Sequence, residues 1–198
     1  MAGLDRERIV ATCLALADAK GLSSLSMRRV SAELGVTPMA IYHHVRSKDE
    51  LLDMVADESL RALPDLAAGA GVRPALSDWA CAFYALLVEH PGLAQVVAAR
   101  RLEGPVAAQA AAQLLAGLAA EGVDDERAVE LLVAIVSLVL GGALYRTSRS
   151  AAAVHRGDRR IPKLDGAAGR LRERVAAATL DDEQFRSMVD RLLDGYLA

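Results

Sequence analysis

The sequence predicts an all-α protein built from an N-terminal three-helix, helix-turn-helix head and a larger helical domain. Three observations predict it. Apolar residues recur three and four positions apart through most of the chain; Ser, Thr, Asp or Pro mark helix starts and Gly or Pro mark stops; and no stretch alternates cleanly with the two-residue period of a strand. At 198 residues and 53% hydrophobic composition, the chain can bury a sizeable core as one domain, or as a small domain joined to a larger one.

A first helix is expected over residues 5–20, with Val10, Cys13, Leu14 and Ala17 on one face and Gly21 at its end. Ser26 is placed to cap a second helix whose Met27, Val30 and Leu34 share a face. Gly35 stops it, because glycine tolerates the positive φ of a sharp turn. Thr37 and Pro38 open a third helix, Thr as cap and Pro at a position whose N–H has no partner. At about 100° per residue Ile41 and Val45 fall on one inward line. Met39, Ala40, His43, Arg46 and Ser47 take the opposite face, with Tyr42 and His44 on the flanks.

Ser47-Lys48-Asp49-Glu50 has the S-x-x-E form of a capping box, so a helix starts there and runs to about Ala62, where Pro64 and the Gly-rich AAGAGV follow. Pro74 opens the next helix, through Trp79, Phe83 and Leu87, which halts at His90-Pro91. A short helix is expected over 93–99, then a long one from Pro105 to about Glu121 and another, capped by Asp124, to about Ser148. The Arg-rich stretch from Arg149 to Leu164 reads as a loop before a shorter helix at about 166–178. Asp181-x-x-Gln184 repeats the capping-box form before a last helix ending near Leu197.

Two short helices hinged at a glycine, the second with a bare outer face, make a shape that fits the DNA major groove. Lys48 then sits at the positive end of a helix, suited to a phosphate. The net charge of −3 argues against strong unspecific attraction to nucleic acid, and residues 1–62 hold eight Lys or Arg against nine Asp or Glu. Position matters more: Arg28, Arg29, Arg46 and Lys48 cluster about the turn and the helix after it, so binding through them should weaken steeply with salt.

Cys13 and Cys81 sit in apolar helical patterns and form neither a disulfide framework nor zinc spacing. MAGLDRERIV lacks the regions of a signal peptide, and the apolar run from Leu131 to Leu144 is short of the roughly 20 residues that cross a bilayer. A cytoplasmic protein with no membrane partner is expected, and that run reads as a deeply buried helix. No nucleophile triad, phosphate loop or metal motif appears; Asp124-Asp125-Glu126 reads as capping, so no enzyme activity, cofactor or metal is expected.

On LSMRRVSAELGV and the Tyr42-x-His44-Val45-x-x-Lys48 run, residues 4–62 resemble the DNA-binding region of the TetR family of transcriptional repressors. The resemblance implies that Arg28, Thr37, Pro38, Met39, Ala40, His43 and His44 approach bases or backbone, while Tyr42 and Lys48 meet phosphates. Two departures stand out: Ser31 where a small alanine is common, and Met39-Ala40 with few hydrogen-bonding groups. Base readout then rests on Arg28, Thr37, His43 and apolar contact with thymine methyls.

RPALSDWACAFYALLVEHPGLAQVVAARRLEGP resembles the C-terminal domain of the tetracycline-repressor branch. This implies a largely apolar effector pocket, placed at Trp79, Phe83, Tyr84, Leu115 and Leu118. The drug-bound metal of that branch needs an imidazole within AARRLEGP, which has none, so tetracycline is not the expected effector. The helix at 124–148 is apolar nearly all round, which calls for a second subunit. Leu131, Ile135, Leu138, Gly142 and Tyr145, with Phe185, Met188, Val189, Leu192 and Tyr196 on the last helix, would build a four-helix dimer interface, as in the family resembled.

The expected organisation is a DNA-binding head at 1–47, a connecting helix at 48–62 and a ligand-binding and dimerisation domain at 63–198. The expected function is a homodimeric repressor that binds a pseudo-palindromic operator and is released by a small-molecule effector. The alternative is an all-helical small-molecule-binding or protein-interaction module without specific DNA binding.

Overall fold

The computed structural model describes residues 4–66, 71–100, 102–154, 166, 167, 170, 174 and 180–197. In chain order its helices are α1 (Arg6–Lys20), α2 (Met27–Leu34), α3 (Pro38–Tyr42), α4 (Lys48–Ser59), α5 (Val72–Glu89), α6 (Pro91–Ala99), α7 (Pro105–Ala120), α8 (Asp125–Val154) and α9 (Asp182–Tyr196). No strand occurs among the described residues.

Side-chain caps set most of the starts. Asp5 accepts the Arg8 N–H at 2.8 Å, Ser26 that of Arg29 at 3.2 Å, and Asp124 that of Arg127 at 3.0 Å. At α9 the box is reciprocal: Asp181 accepts the Gln184 N–H at 2.9 Å, and the Gln184 side chain accepts the Asp181 N–H at 3.3 Å. Gly35 takes φ 68° and ψ 30°, and the Val36 N–H returns to the Ser31 carbonyl, which closes α2 and turns the chain toward α3.

Several boundaries differ from the sequence reading. Thr37 makes no side-chain cap bond. The third helix does not reach Ser47; it ends at Tyr42, because Ser47 must be extended (φ −150°) to cap α4 and the chain needs the intervening residues to turn. At Ser47 the hydroxyl accepts the Glu50 N–H, but the Glu50 carboxylate reaches the Arg46 N–H at 2.6 Å, one residue before the position a capping box uses. Helix α5 starts at Val72, two residues ahead of Pro74, since the Glu121 carboxylate accepts the Val72 N–H at 3.0 Å. Helix α8 runs on through 149–154, where a loop was expected. Residues 155–165 and most of the helix expected at 166–178 lie outside the described residues.

In the head, α1, α2, α3 and the start of α4 enclose Ile9, Cys13, Val30, Ile41, Val45 and Leu51, all buried. Burial of Ile41 in the short α3 and of Val45 just after it contributes about 1.5–3 kcal/mol each. In the body, α5 and α8 pack together and α9 lies against both, around Phe83, Leu131, Ile135, Phe185 and Val189. Helix α8 is not deeply buried: one face is core, and Val129, Val133 and Tyr145 are exposed. By length and composition its Asp125–Ser148 stretch is apolar enough to cross a membrane, but it packs here as the central helix of the body.

Head and body meet through α6 and α7. At His90 the chain bends by 112° between α5 and α6. There the Asp18 carboxylate of α1 accepts the Gly92 N–H at 2.9 Å and lies 2.7 Å from His90 Nδ1. A Cβ at Gly92 would come within 2.5 Å of the Ala17 Cβ, so glycine permits this contact. On the other side Asp57 of α4, buried, accepts the N–H groups of Val106 at 3.2 Å and Ala107 at 2.9 Å and so caps α7 from another element.

Candidate nucleic-acid interface

The turn after Gly35 throws α3 outward with only Ile41 and then Val45 facing the core. Thr37, Pro38, Met39, Tyr42 and His43 lie exposed along its outer side, Met39 at 65% and Tyr42 at 45%. Arg28 on α2 and Lys48 at the first turn of α4 are exposed beside them, and Ala40 is half-buried. Arg28, Arg29, Arg46 and Lys48 enter no salt bridge with the described residues. By contrast, Arg6 and Arg61 are both held by Glu58. Four cations that form no salt bridge with the described residues thus lie in or next to the helix-turn-helix, whose α3 has a bare outer face.

Ser31 is buried, and its hydroxyl donates to the Arg28 carbonyl at 2.9 Å, which satisfies the serine within its own helix. His44 departs from the open face. It is half-buried and lines a cleft of about 550 Å³ between head and body, together with Glu50, Asp53, Arg100 and Glu103. The reason is geometric: α3 has already ended, and the turn at His43 and His44 points the second imidazole back toward α4.

A second cavity, of about 310 Å³, opens between α5, α6, α7 and α8. Trp79 and Leu76 of α5, Ala107, Ala110, Ala111 and Leu114 of α7, and Ile135, Val136 and Leu140 of α8 line it. Of the residues placed in a pocket by sequence, only Trp79 lines this one. Phe83 is buried behind it, ring centroids 5.2 Å apart. Tyr84 stacks on Phe185 at 3.9 Å, and its hydroxyl donates to the carbonyl of Leu180, which adopts φ 53°. Tyr84 thus fastens α5 to the start of α9; burial also raises its phenol pKa. Leu118 shares the cavity-facing side of α7 but lies one turn beyond it in the core, and Leu115 falls to the flank.

Sequence reasoning missed the alanines at 107, 110 and 111. Their spacing is the signal: small residues on the one face of α7 that looks inward leave space that larger ones would fill. Arg100 borders both cavities. Its guanidinium, at the end of α6, pairs with Asp53 at 2.7 and 2.8 Å and with Asp49 at 3.0 Å, both on α4, and the hydrogen bond to Asp53 raises its pKa above the usual arginine range.

The residues expected between subunits divide into two sets. Leu131, Ile135, Gly142, Phe185 and Val189 are buried within the single chain and cannot meet another copy. Gly142 is small because Phe185 and Leu180 press on it, so that a Cβ would stand 3.2 Å from each. Leu138, Leu192 and Tyr196 are half-buried, and Tyr145 and Met188 exposed, on the outer side of α8 and α9 beside Gly141, where a Cβ would meet nothing.

Residues 9–55 match the family described as bacterial regulatory proteins, tetR family, and residues 63–198 match the tetracyclin repressor-like, C-terminal domain. The chain is 34% identical to the HTH-type transcriptional repressor DrrR1 of Streptomyces coeruleorubidus, over 97% of this chain and 77% of that protein. It is 30% identical to the class G tetracycline repressor of Vibrio anguillarum, over 82% and 75% respectively. Among solved structures, apo ActR of Streptomyces coelicolor aligns with a TM-score of 0.78 at 26% identity, covering 100% of this chain and 96% of ActR. ActR in complex with actinorhodin aligns at 0.75 and 27% identity, covering 99% and 98%. An exposed helix-turn-helix whose nearby cations pair with no described residue, joined to a helical body and matched by these models over nearly the whole chain, identifies it as a member of the TetR family of bacterial regulatory proteins.

Proposed function

We propose that this regulator is a repressor that binds a pseudo-palindromic operator as a homodimer and is released by a small-molecule effector. The observation that carries the proposal is the bare outer face of α3 beside Arg28, Arg46 and Lys48, which are exposed and unpaired among the described residues. Tyr42 and Lys48 hold phosphates, Arg28, Thr37 and His43 meet base edges, and Met39, Pro38 and Ala40 offer apolar surface to thymine methyls. His44, set toward the cleft, contributes from the rim and not from the groove floor.

Dimerisation uses the outer side of α8 and α9, where Leu138, Tyr145, Met188, Leu192 and Tyr196 surround the open Gly141. Two-fold symmetry then sends two copies of α3 into successive major grooves, about 34–36 Å apart. The effector occupies the 310 Å³ cavity. ActR, a structural relative, is solved with actinorhodin, which supports a small-molecule role for the corresponding body. The described lining offers no imidazole or carboxylate for a metal-chelated drug, so the proposed effector is not one.

Coupling runs through α4. Asp57 holds α7, and Arg100, just after α6, holds Asp49 and Asp53, so a ligand that displaces either junction moves the helix to which the head is attached. The effector's influence on DNA affinity equals its preference for one head separation over the other. The proposal assigns no catalytic role and places the protein in the cytoplasm with its DNA. Selection of bound fragments from genomic DNA tests it: specific, salt-sensitive retention of fragments that carry two related half-sites is expected, and retention without sequence preference would reject it.

A further inference from the structure

We infer that the effector is an apolar molecule carrying an anionic group, and that this anion acts by taking Arg100 away from Asp49 and Asp53. The inference deepens the effector reading above and rests on it. Arg100 is the one charged side chain among the described residues lining the cavity; Trp79, the alanines of α7 and the leucines around them are apolar, and Ser137 adds a hydroxyl. Such walls favour a hydrophobic body. They leave a ligand charge a single counter-ion, and that counter-ion is positive. A cationic ligand would bring like charge against Arg100, and a neutral one would leave its present pairs undisturbed.

The arginine is also the part of the wall that reaches α4. It borders the cavity on one side and the cleft on the other, and its guanidinium spans Asp53 and Asp49, one helical turn apart. Both carboxylates are largely in water, Asp49 with 75% and Asp53 with 49% of its side chain exposed, whereas the Arg100 side chain is 25% exposed. Exposed carboxylates released from a pair regain hydration at little cost. An anion delivered into an apolar cavity by the rest of its own ligand attracts the guanidinium through a poorer dielectric. The exchange therefore runs toward the ligand, and α4 loses its tie to the end of α6 while the Asp57 cap on α7 remains. By linkage, bound DNA lowers the affinity for such a ligand by the same factor.

Two dyes that share one skeleton test this on the full-length protein. 1-Anilinonaphthalene-8-sulfonate carries the anion, and N-phenyl-1-naphthylamine lacks it. Fluorescence titration of the wild type, Arg100→Gln, Arg100→Lys and the double variant Asp49→Asn/Asp53→Asn should show three things. Arg100→Gln weakens sulfonate binding by about tenfold and Arg100→Lys by less, as expected for losing and keeping a charged hydrogen-bond donor, while the neutral dye binds all variants alike. Asp49→Asn/Asp53→Asn tightens sulfonate binding, because the competitors are gone. With a labelled genomic fragment selected for binding, only the sulfonate releases DNA.

Equal sulfonate binding by the wild type and Arg100→Gln, no tightening in the double variant, or equal release by the neutral dye overturns the inference while leaving the cavity reading in place. Failure of both dyes to bind, or binding undiminished by Leu114→Trp, which fills the cavity, overturns the cavity reading and the inference with it. Thermal melting of each variant identifies any that fails to fold, and the opposite shifts expected for the Arg100 and Asp49/Asp53 variants cannot both arise from lost stability.

Discussion

The carboxylate of Asp57 fills the space that Gly104 leaves empty: a Cβ on Gly104 would lie 2.1 Å from the Asp57 Cγ. From that position Asp57, on α4, accepts the first free N–H groups of α7. One residue of the connecting helix thus completes a helix of the body, and the glycine is what allows the two to approach.

Asp57→Ala should cost about 1–2 kcal/mol in urea unfolding, because it removes a cap and leaves two amides without acceptors. Gly104→Ala should cost a comparable amount by pushing the carboxylate away, and the double variant should lose much less than the sum of the two. Additive losses would mean that the pair does not act as a unit.

Substitution within the helix-turn-helix should separate affinity from selectivity. Arg28→Ala and His43→Ala should change which bases are preferred at fixed positions of each half-site. Repeating the fragment selection with each variant and finding the wild-type preference intact would remove those two side chains from base readout.

On the body, Leu138→Glu and Leu192→Glu place charge on the apolar outer side of α8 and α9. Both should convert a dimer to monomers in sedimentation equilibrium and weaken operator binding, since two half-sites then bind independently. An intact dimer in both variants would place the subunit contact elsewhere.

Burial pushes the Cys13 thiol up to about 12. The folded state therefore keeps this proton through a range in which the unfolded chain releases it. Stability is unaffected by Cys13 below the ordinary thiol value of 9.0 and falls as pH rises above it, by about 1.4 kcal/mol per unit toward pH 12. Between pH 9 and 11 the wild type should lose stability faster than Cys13→Ala by that slope, in urea melts; parallel curves would show that the thiol is not shielded. Cys13 should also resist alkylation until the protein unfolds.

The helices were legible because their punctuation is local: Ser26, Asp124, Asp181 with Gln184, Gly35 and Pro105 each act within a few residues of themselves. The exposed set on α3 was legible for the same reason, since Ile41 and Val45 fix which way a short helix must face. What was not legible depends on partners far along the chain. Nothing near Val72 announces that Glu121 will start its helix, and nothing near Pro105 announces Asp57. Periodicity located an apolar stripe on α8 but not which neighbour covers it. Periodicity therefore assigns Leu131, Ile135, Phe185 and Val189 to a partner although they close on each other, and the resemblance points to large aromatic residues for a pocket whose space the small ones of α7 make.

The central claim is that the outer side of α3 and the start of α4 enter the duplex. Fluorescence anisotropy on a selected genomic fragment, at graded salt, tests it with Tyr42→Ala and Lys48→Ala against the wild type. The account predicts weaker binding of both variants to every fragment, and for Lys48→Ala a slope of log affinity against log salt reduced by about one for each head that loses its phosphate contact. Unchanged affinity and an unchanged salt slope in both variants would contradict it.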